Sequence, residues 1–157
     1  MKIYTSYFYM VRFLRPWELP LSTAVWDPKW FHDFKGQNHI YKDRRGVLNG
    51  VRAGMFVPDS TCANQCSGLD KCVTKDPTQC TFLRRYRQQL DKLDAKSFMK
   101  YMEQSSSYFQ DLLELERPLD FVLLFHEAPT NQCSERWPVQ SWFQDNGFEV
   151  TEWQKPE

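Results

Sequence analysis

The chain has 157 residues, 41% hydrophobic and 16% aromatic, with Lys+Arg and Asp+Glu balanced at 20 each. That length and apolar content suit one domain with its own core and exclude a disordered chain. Zero formal net charge excludes a protein that coats nucleic acid indiscriminately.

No run reaches the roughly 18 apolar residues of a membrane span. The N-terminus alternates apolar and polar side chains with no small-residue cleavage site, unlike a signal peptide. The expectation is a cytoplasmic protein without a membrane partner, whose five cysteines stay reduced. Charge is unevenly spread: residues 1–102 hold 17 Lys/Arg against 9 Asp/Glu, and residues 103–157 hold 3 against 11. This reads either as a surface for an anionic ligand or as pairing between the two parts.

In chain order, Lys2–Met10 alternates and predicts a first, central strand. Arg15-Pro16 breaks it. Leu19–Trp26 predicts a second strand, with Pro20 at a tolerated early position. Asp27-Pro28 is an N-cap and first-turn proline for a short helix, Lys29–Phe34. Regular signals then fade from Lys35 to Gln79. Phe82, Leu83, Tyr86, Leu90 and Leu93 mark one face of a helix over Gln79–Leu93. Asp94 caps a second, Lys96 to about Glu116, which Ser105–Ser107 interrupts and Pro118 ends. Phe121–Phe125 has the composition of a strand buried on both faces. A loop and a helix carrying Val139, Trp142 and Phe143 follow, Gly147 stops the helix, and Phe148–Trp153 predicts a last strand. Strand, helix, strand with short links is a βαβ unit. The expected fold is α/β and Rossmann-like: one domain over 1–157, a mainly parallel sheet with helices on both faces, and a cysteine-rich insert at 47–80.

Within that insert, Cys62-x3-Cys66-x5-Cys72-x7-Cys80 places four thiols in a polar, turn-rich stretch with little apolar content of its own. Four thiolates satisfy a tetrahedral zinc and would equally hold an iron–sulfur cluster. Zinc is the expected cofactor, because nothing nearby marks an electron-transfer partner.

The second candidate centre is the loop after Phe121–Phe125. In an open α/β sheet, ligands sit where a strand's carboxyl end meets its loop. Cys133 precedes a helix N-terminus and lies three residues from Arg136, where thiolate is favoured. Free first-turn N–H groups and Arg136 would grip an anion, and Glu127 would act as a base or hydroxyl acceptor. The plainer alternatives are a packed Cys133 and a structural Glu127–Arg136 pair. His126 alternates to the other face of the sheet. Elsewhere, cations interleave with rings: Arg12, Arg15, Trp17, Trp26, Lys29 and Trp30, then Lys42-Asp43-Arg44-Arg45-Gly46. Trp26 offers a stacking platform, Arg44 and Arg45 phosphate contacts, and Ser6 and Ser22 hydroxyls near strand ends.

These pieces resemble the family known as domain of unknown function 488. The resemblance rests on Met1–Phe8, on Pro20–Ala24, and on His126–Val150 with its Glu127, Pro129, Cys133 and Arg136. Ser134 stands where many relatives have histidine. A subset of the family is similar in the cysteine insert and the following FLRRYRQQLDKLD. The resemblance implies an α/β, Rossmann-like domain and assigns no activity. The expected function is binding or acting on a nucleotide, nucleoside or nucleic-acid base at the strand–loop–helix site. The alternatives are a non-catalytic zinc-stabilised module for nucleic acid or protein, and thiol chemistry at Cys133. A Walker loop, a GxGxxG turn and a hydrolase triad are absent from the sequence, which disfavours ATPase and dehydrogenase chemistry.

Overall fold

Bulky side chains at the N-terminus form β1 (Ile3–Tyr7), shorter than the expected strand. In this computed structural model, which describes residues 1–32, 40–63, 66, 72 and 75–157, the chain curls at Phe8 into a 3-10 helix over Phe8–Phe13. The reason is the period: Phe8, Val11 and Leu14, three apart, all point into one core. β2 (Glu18–Ser22) is buried throughout and includes Pro20. It ends early because Thr23 turns both its N–H and its hydroxyl onto the Leu124 carbonyl.

Lys29–Phe31 is a single 3-10 turn, and the extended backbone of His32 ends it sooner than the helix expected over Lys29–Phe34, of which positions 33 and 34 lie outside the described residues. A hairpin not expected from the sequence follows, β3 (Tyr41–Lys42) with β4 (Leu48–Asn49). Asp43 organises its tip by accepting from the N–H groups of Arg45 and Val47, while Gly46 supplies a φ of +89°. In the insert, a short helix α1 (Ser60–Ala63) and a 3-10 turn at Pro77–Gln79 are described. Residues 64, 65, 67–71, 73 and 74 of the expected insert lie outside the described residues.

The long helices agree with the apolar periodicity. α2 is Thr81–Asp91 and α3 is Ala95–Leu112, the latter capped by Asp94 as expected. Ser105–Ser107 does not interrupt α3, because Ser106 faces inward and donates to the Leu119 carbonyl. β5 (Asp120–Phe125) is buried at every residue, α4 is Arg136–Asp145, and β6 is only Thr151–Glu152.

The sheet is mixed α/β in its surroundings and parallel throughout, in the order β2-β5-β1-β6. The link from β1 to β2 runs one way across it, and the links from β2 to β5 and β5 to β6 run the other way. Crossovers of one hand place oppositely directed links on opposite faces. The packing agrees. Ile3, Leu21, Leu123 and Phe125 face Phe82, Leu90, Phe98 and Trp142 of α2, α3 and α4. On the other face Val122 and Leu124 meet Phe8, Val11, Phe31, Val47 and Trp153. Among the described residues the expectation of helices on both faces is therefore corrected: the three long helices share one face, and 3-10 turns and the hairpin close the other. Only ten residues separate Tyr7 from Glu18, fewer than a helical crossover needs.

β1 and β5 are neighbours whose links leave on opposite faces, the kind of position at whose carboxyl end open sheets hold ligands. Phe8 and His126 meet there, 5.0 Å between ring centroids.

Candidate functional site

The loop from β5 to α4 is built by its own short side chains. Asn131 accepts the Cys133 N–H at 2.9 Å, and its carbonyl accepts from the Trp137 indole at 3.0 Å. Ser134, fully buried, donates to Glu127 at 3.2 Å and accepts the Arg136 N–H at 3.2 Å. It thereby fixes Glu127 and caps α4 together. The other first-turn donors are also used: Trp137 N–H bonds the Ser134 carbonyl and Val139 N–H that of Glu135, while Pro138 has none. The expectation of free N–H groups aimed at an anion is corrected by this internal use.

Beside the loop lies a cavity of about 400 Å³ at the carboxyl ends of β2 and β5. Val25 and Trp26 form one side, Phe82 and Leu83 of α2 another, and Glu127, Cys133 and Glu135 a third. Cys66, Cys72, Asp76 and Cys80 of the insert complete it. Of the residues singled out from the sequence, the fold thus gathers Trp26, Cys66, Cys72, Cys80, Glu127 and Cys133. Trp26 is 82% exposed, a flat ring at the mouth, and its carbonyl is held by His126 Nε2 at 2.7 Å.

The others are elsewhere. Arg136 is wholly buried and does not line the cavity. Its Nε donates to Glu152 at 2.8 Å, its Nη2 to the Ser6 carbonyl at 3.0 Å, and its plane lies over Phe125. The expected anion grip and the alternative Glu127–Arg136 pair both give way to this tie between α4, β1 and β6. Ser6 is buried, and its hydroxyl has no hydrogen-bond partner among the described residues. Ser22 is also buried, donating to Asp27, which in turn binds Arg52 at 2.7 Å and His32 at 2.9 Å. Arg44 and Arg45 are exposed at the hairpin tip. Arg45 pairs with Asp43 at 2.8 Å and lines a separate pocket with Arg12, Tyr9, Trp30 and Tyr41.

The cysteines divide differently from their order along the chain. Cys62 is 2% exposed on α1, packed into the helical core, with Sγ 3.6 Å from Gln89 Oε1. Cys133 instead joins Cys66, Cys72 and Cys80 around the cavity. Among the described residues, no three His, Cys, Asp or Glu side chains are poised as they stand to hold a metal ion.

Burial raises the Cys133 thiol above its ordinary range, and Cys72, Cys80, Asp76 and Cys66 add to the shift. The sequence expectation had the opposite sign, because it placed a guanidinium beside the sulfur. Burial also raises Glu135 to about 7, with the charge of Glu127 as the second cause. Neither Glu135 nor Asp76 was singled out from the sequence. Glu135 lay between two flagged residues, Cys133 and Arg136, and that proximity was the available signal.

No family model matches the chain, and neither does any curated protein or solved structure.

Proposed function

We propose that the cavity beside β5 receives a nucleoside or nucleic-acid base, with Trp26 stacking on the ring and Glu127 accepting its N–H groups. The observation that carries this reading is the exposed Trp26 indole sharing one cavity with Glu127, whose carboxylate is oriented by Ser134. A volume of about 400 Å³ lies within the range of small-molecule sites. None of the described lining residues is a lysine, arginine or histidine. A phosphate therefore finds no cation among the described lining residues, and the base, rather than the phosphate of a nucleotide, is the part that enters. The Rossmann-like reading agrees with this position, since the cavity lies at strand carboxyl ends. The family resemblance agrees in placing Glu127 and Cys133 together at that end, whereas the Arg136 it also marks is turned into the core.

Titration of the full chain with cytidine, adenosine, guanosine and uridine, followed by calorimetry and tryptophan fluorescence, tests the reading. At least one nucleoside binds, and Trp26→Ala and Glu127→Gln each weaken it about tenfold with the fold intact, as loss of one stack or one charged hydrogen bond implies. No binding by any nucleoside, or equal binding by both variants, overturns it.

A second reading, a non-catalytic module for single-stranded nucleic acid, is favoured by the hairpin tip. Lys42, Arg44 and Arg45 are exposed there, and Arg45 lines a pocket with the Tyr9, Trp30 and Tyr41 rings. It predicts oligonucleotide binding that weakens with salt and is lost when all three cations become alanine. Unchanged binding in that triple variant removes it.

A further inference from the structure

We propose that Cys66, Cys72, Cys80 and Cys133 together hold one zinc ion, with Cys62 taking no part. The grouping by sequence spacing joined Cys62 to the first three and set Cys133 apart. The fold reverses this. Three insert cysteines and Cys133, from the loop after β5, open onto one cavity, and Cys62 does not. Cys62 is fixed elsewhere: Gln89, which its Sγ meets, also accepts the Asp59 N–H at 2.9 Å and donates to the Val57 carbonyl at 2.8 Å. Drawing that sulfur out would unpick both bonds and open the core between α1 and α2.

Charge supports the same assignment. Four thiols share the cavity with Asp76, Glu127 and Glu135, and none of the described lining residues is cationic. A cleft lined by groups of one sign draws in a counter-ion. The Cys72 sulfur accepts the Lys75 N–H at 3.3 Å. Four soft thiolates suit zinc in a closed tetrahedral site, and such a site is structural.

As they stand, the sulfurs surround the cavity rather than meet at a point. Cys66 is exposed and Cys72 half-buried, so neither sulfur is fixed in a packed core as that of Cys62 is. On binding, the four thiol protons pass to solvent and four sulfur–zinc bonds form. The metal would tie the insert to the loop carrying Glu127, forming one wall of the proposed base site. This inference goes beyond the nucleoside reading and does not depend on it.

The experiment is metal analysis of the purified full chain and of Cys62→Ser, Cys133→Ser and Cys133→His, with circular dichroism to verify folding. Wild type, Cys62→Ser and Cys133→His each carry one zinc per chain, and Cys133→Ser loses it. If Cys133→Ser does not fold, cobalt-substituted Cys133→His decides, because its sulfur-to-cobalt absorption falls from that of four thiolates to that of three. A full equivalent of zinc in folded Cys133→Ser, loss of zinc in folded Cys62→Ser, an unchanged cobalt spectrum in Cys133→His, or iron in place of zinc overturns the proposal. Nucleoside binding is scored separately, so failure of either reading is visible without the other.

Discussion

Replacing Arg136 with methionine keeps most of the side-chain volume and removes the guanidinium from a site with no solvent access. Two bonds go, to Glu152 at 2.8 Å and to the Ser6 carbonyl at 3.0 Å. The Glu152 carboxylate, only 18% exposed, keeps the Thr5 hydroxyl at 2.7 Å and loses its cation. Breaking a buried pair by removing one partner costs about 3–5 kcal/mol, a large part of the 5–15 kcal/mol typical of a whole domain. The sign of the pH dependence follows from Glu152. Burial raises its pKa even with Arg136 present, while Arg136 and Thr5 pull it down. The folded protein therefore holds this proton more tightly than the unfolded chain does. The associated stability is present below the ordinary glutamate range and is lost as pH rises through the folded value. Removing Arg136 raises that value further, so the penalty is larger in an assay at about pH 8 than in one at about pH 5, because the carboxyl takes up its proton as pH falls through its folded value. Urea unfolding of wild type and Arg136→Met at those two pH values measures it, and Glu152→Gln added to Arg136→Met recovers part of the loss at the higher one. A cost below about 1 kcal/mol at about pH 8, or an equal cost at both, would refute the assignment of Arg136 as a buried structural tie.

Trp142→Ala removes a ring that lies 4.9 Å from Phe143 and 5.9 Å from both Phe56 and Phe98, and lowers stability by about 3–5 kcal/mol in urea unfolding. Tyr86→Phe strips the hydroxyl that donates to the Phe56 carbonyl and costs about 1–3 kcal/mol by the same measurement. Asp94→Ala uncaps α3 by removing the acceptor of the Lys96 and Ser97 N–H groups, and lowers the melting temperature at neutral pH. Because those bonds hold the Asp94 pKa below its ordinary value, wild-type stability from this cap is present above the ordinary aspartate range and fades as pH falls through the folded value. The melting difference closes there.

The fold was legible wherever one physical signal dominated. The all-apolar run at Phe121–Phe125 could be buried only as a central strand, and it sits between β1 and β2. The inward faces of α2 and α3 followed from their period, and Asp94 announced a start that its two bonds now explain. Errors came where alternation and a three-residue period coincide. Phe8, Val11 and Leu14 satisfy a 3-10 turn as well as they extend a strand, and only the second core chooses between them. The hairpin at Tyr41–Asn49 was hidden for the opposite reason, since its strands have two residues each and its tip is set by Asp43 hydrogen bonds rather than by hydropathy.

The place of the cavity was legible and the make-up of its walls was not. Sequence placed it at the end of β5 because a strand's carboxyl end is a topological address that needs no side-chain detail. It misread Arg136, because three residues of spacing do not distinguish a guanidinium facing the loop from one on the helix's inner side. Glu152, its partner at 2.8 Å, lies sixteen positions away on another strand. Cysteine spacing is no better a guide to which thiols share a cavity. Proximity along the chain joined Cys62 to Cys66, yet helix α1 carries Cys62 into the core. The loop after β5 brings Cys133 to the remaining three from more than fifty positions away. Both cases have one cause: the sequence orders residues along one dimension, and a parallel sheet with long crossovers joins residues that are remote along it. Chemistry assigned from spacing alone is therefore least secure at the crossover ends, which is where this fold places its cavity.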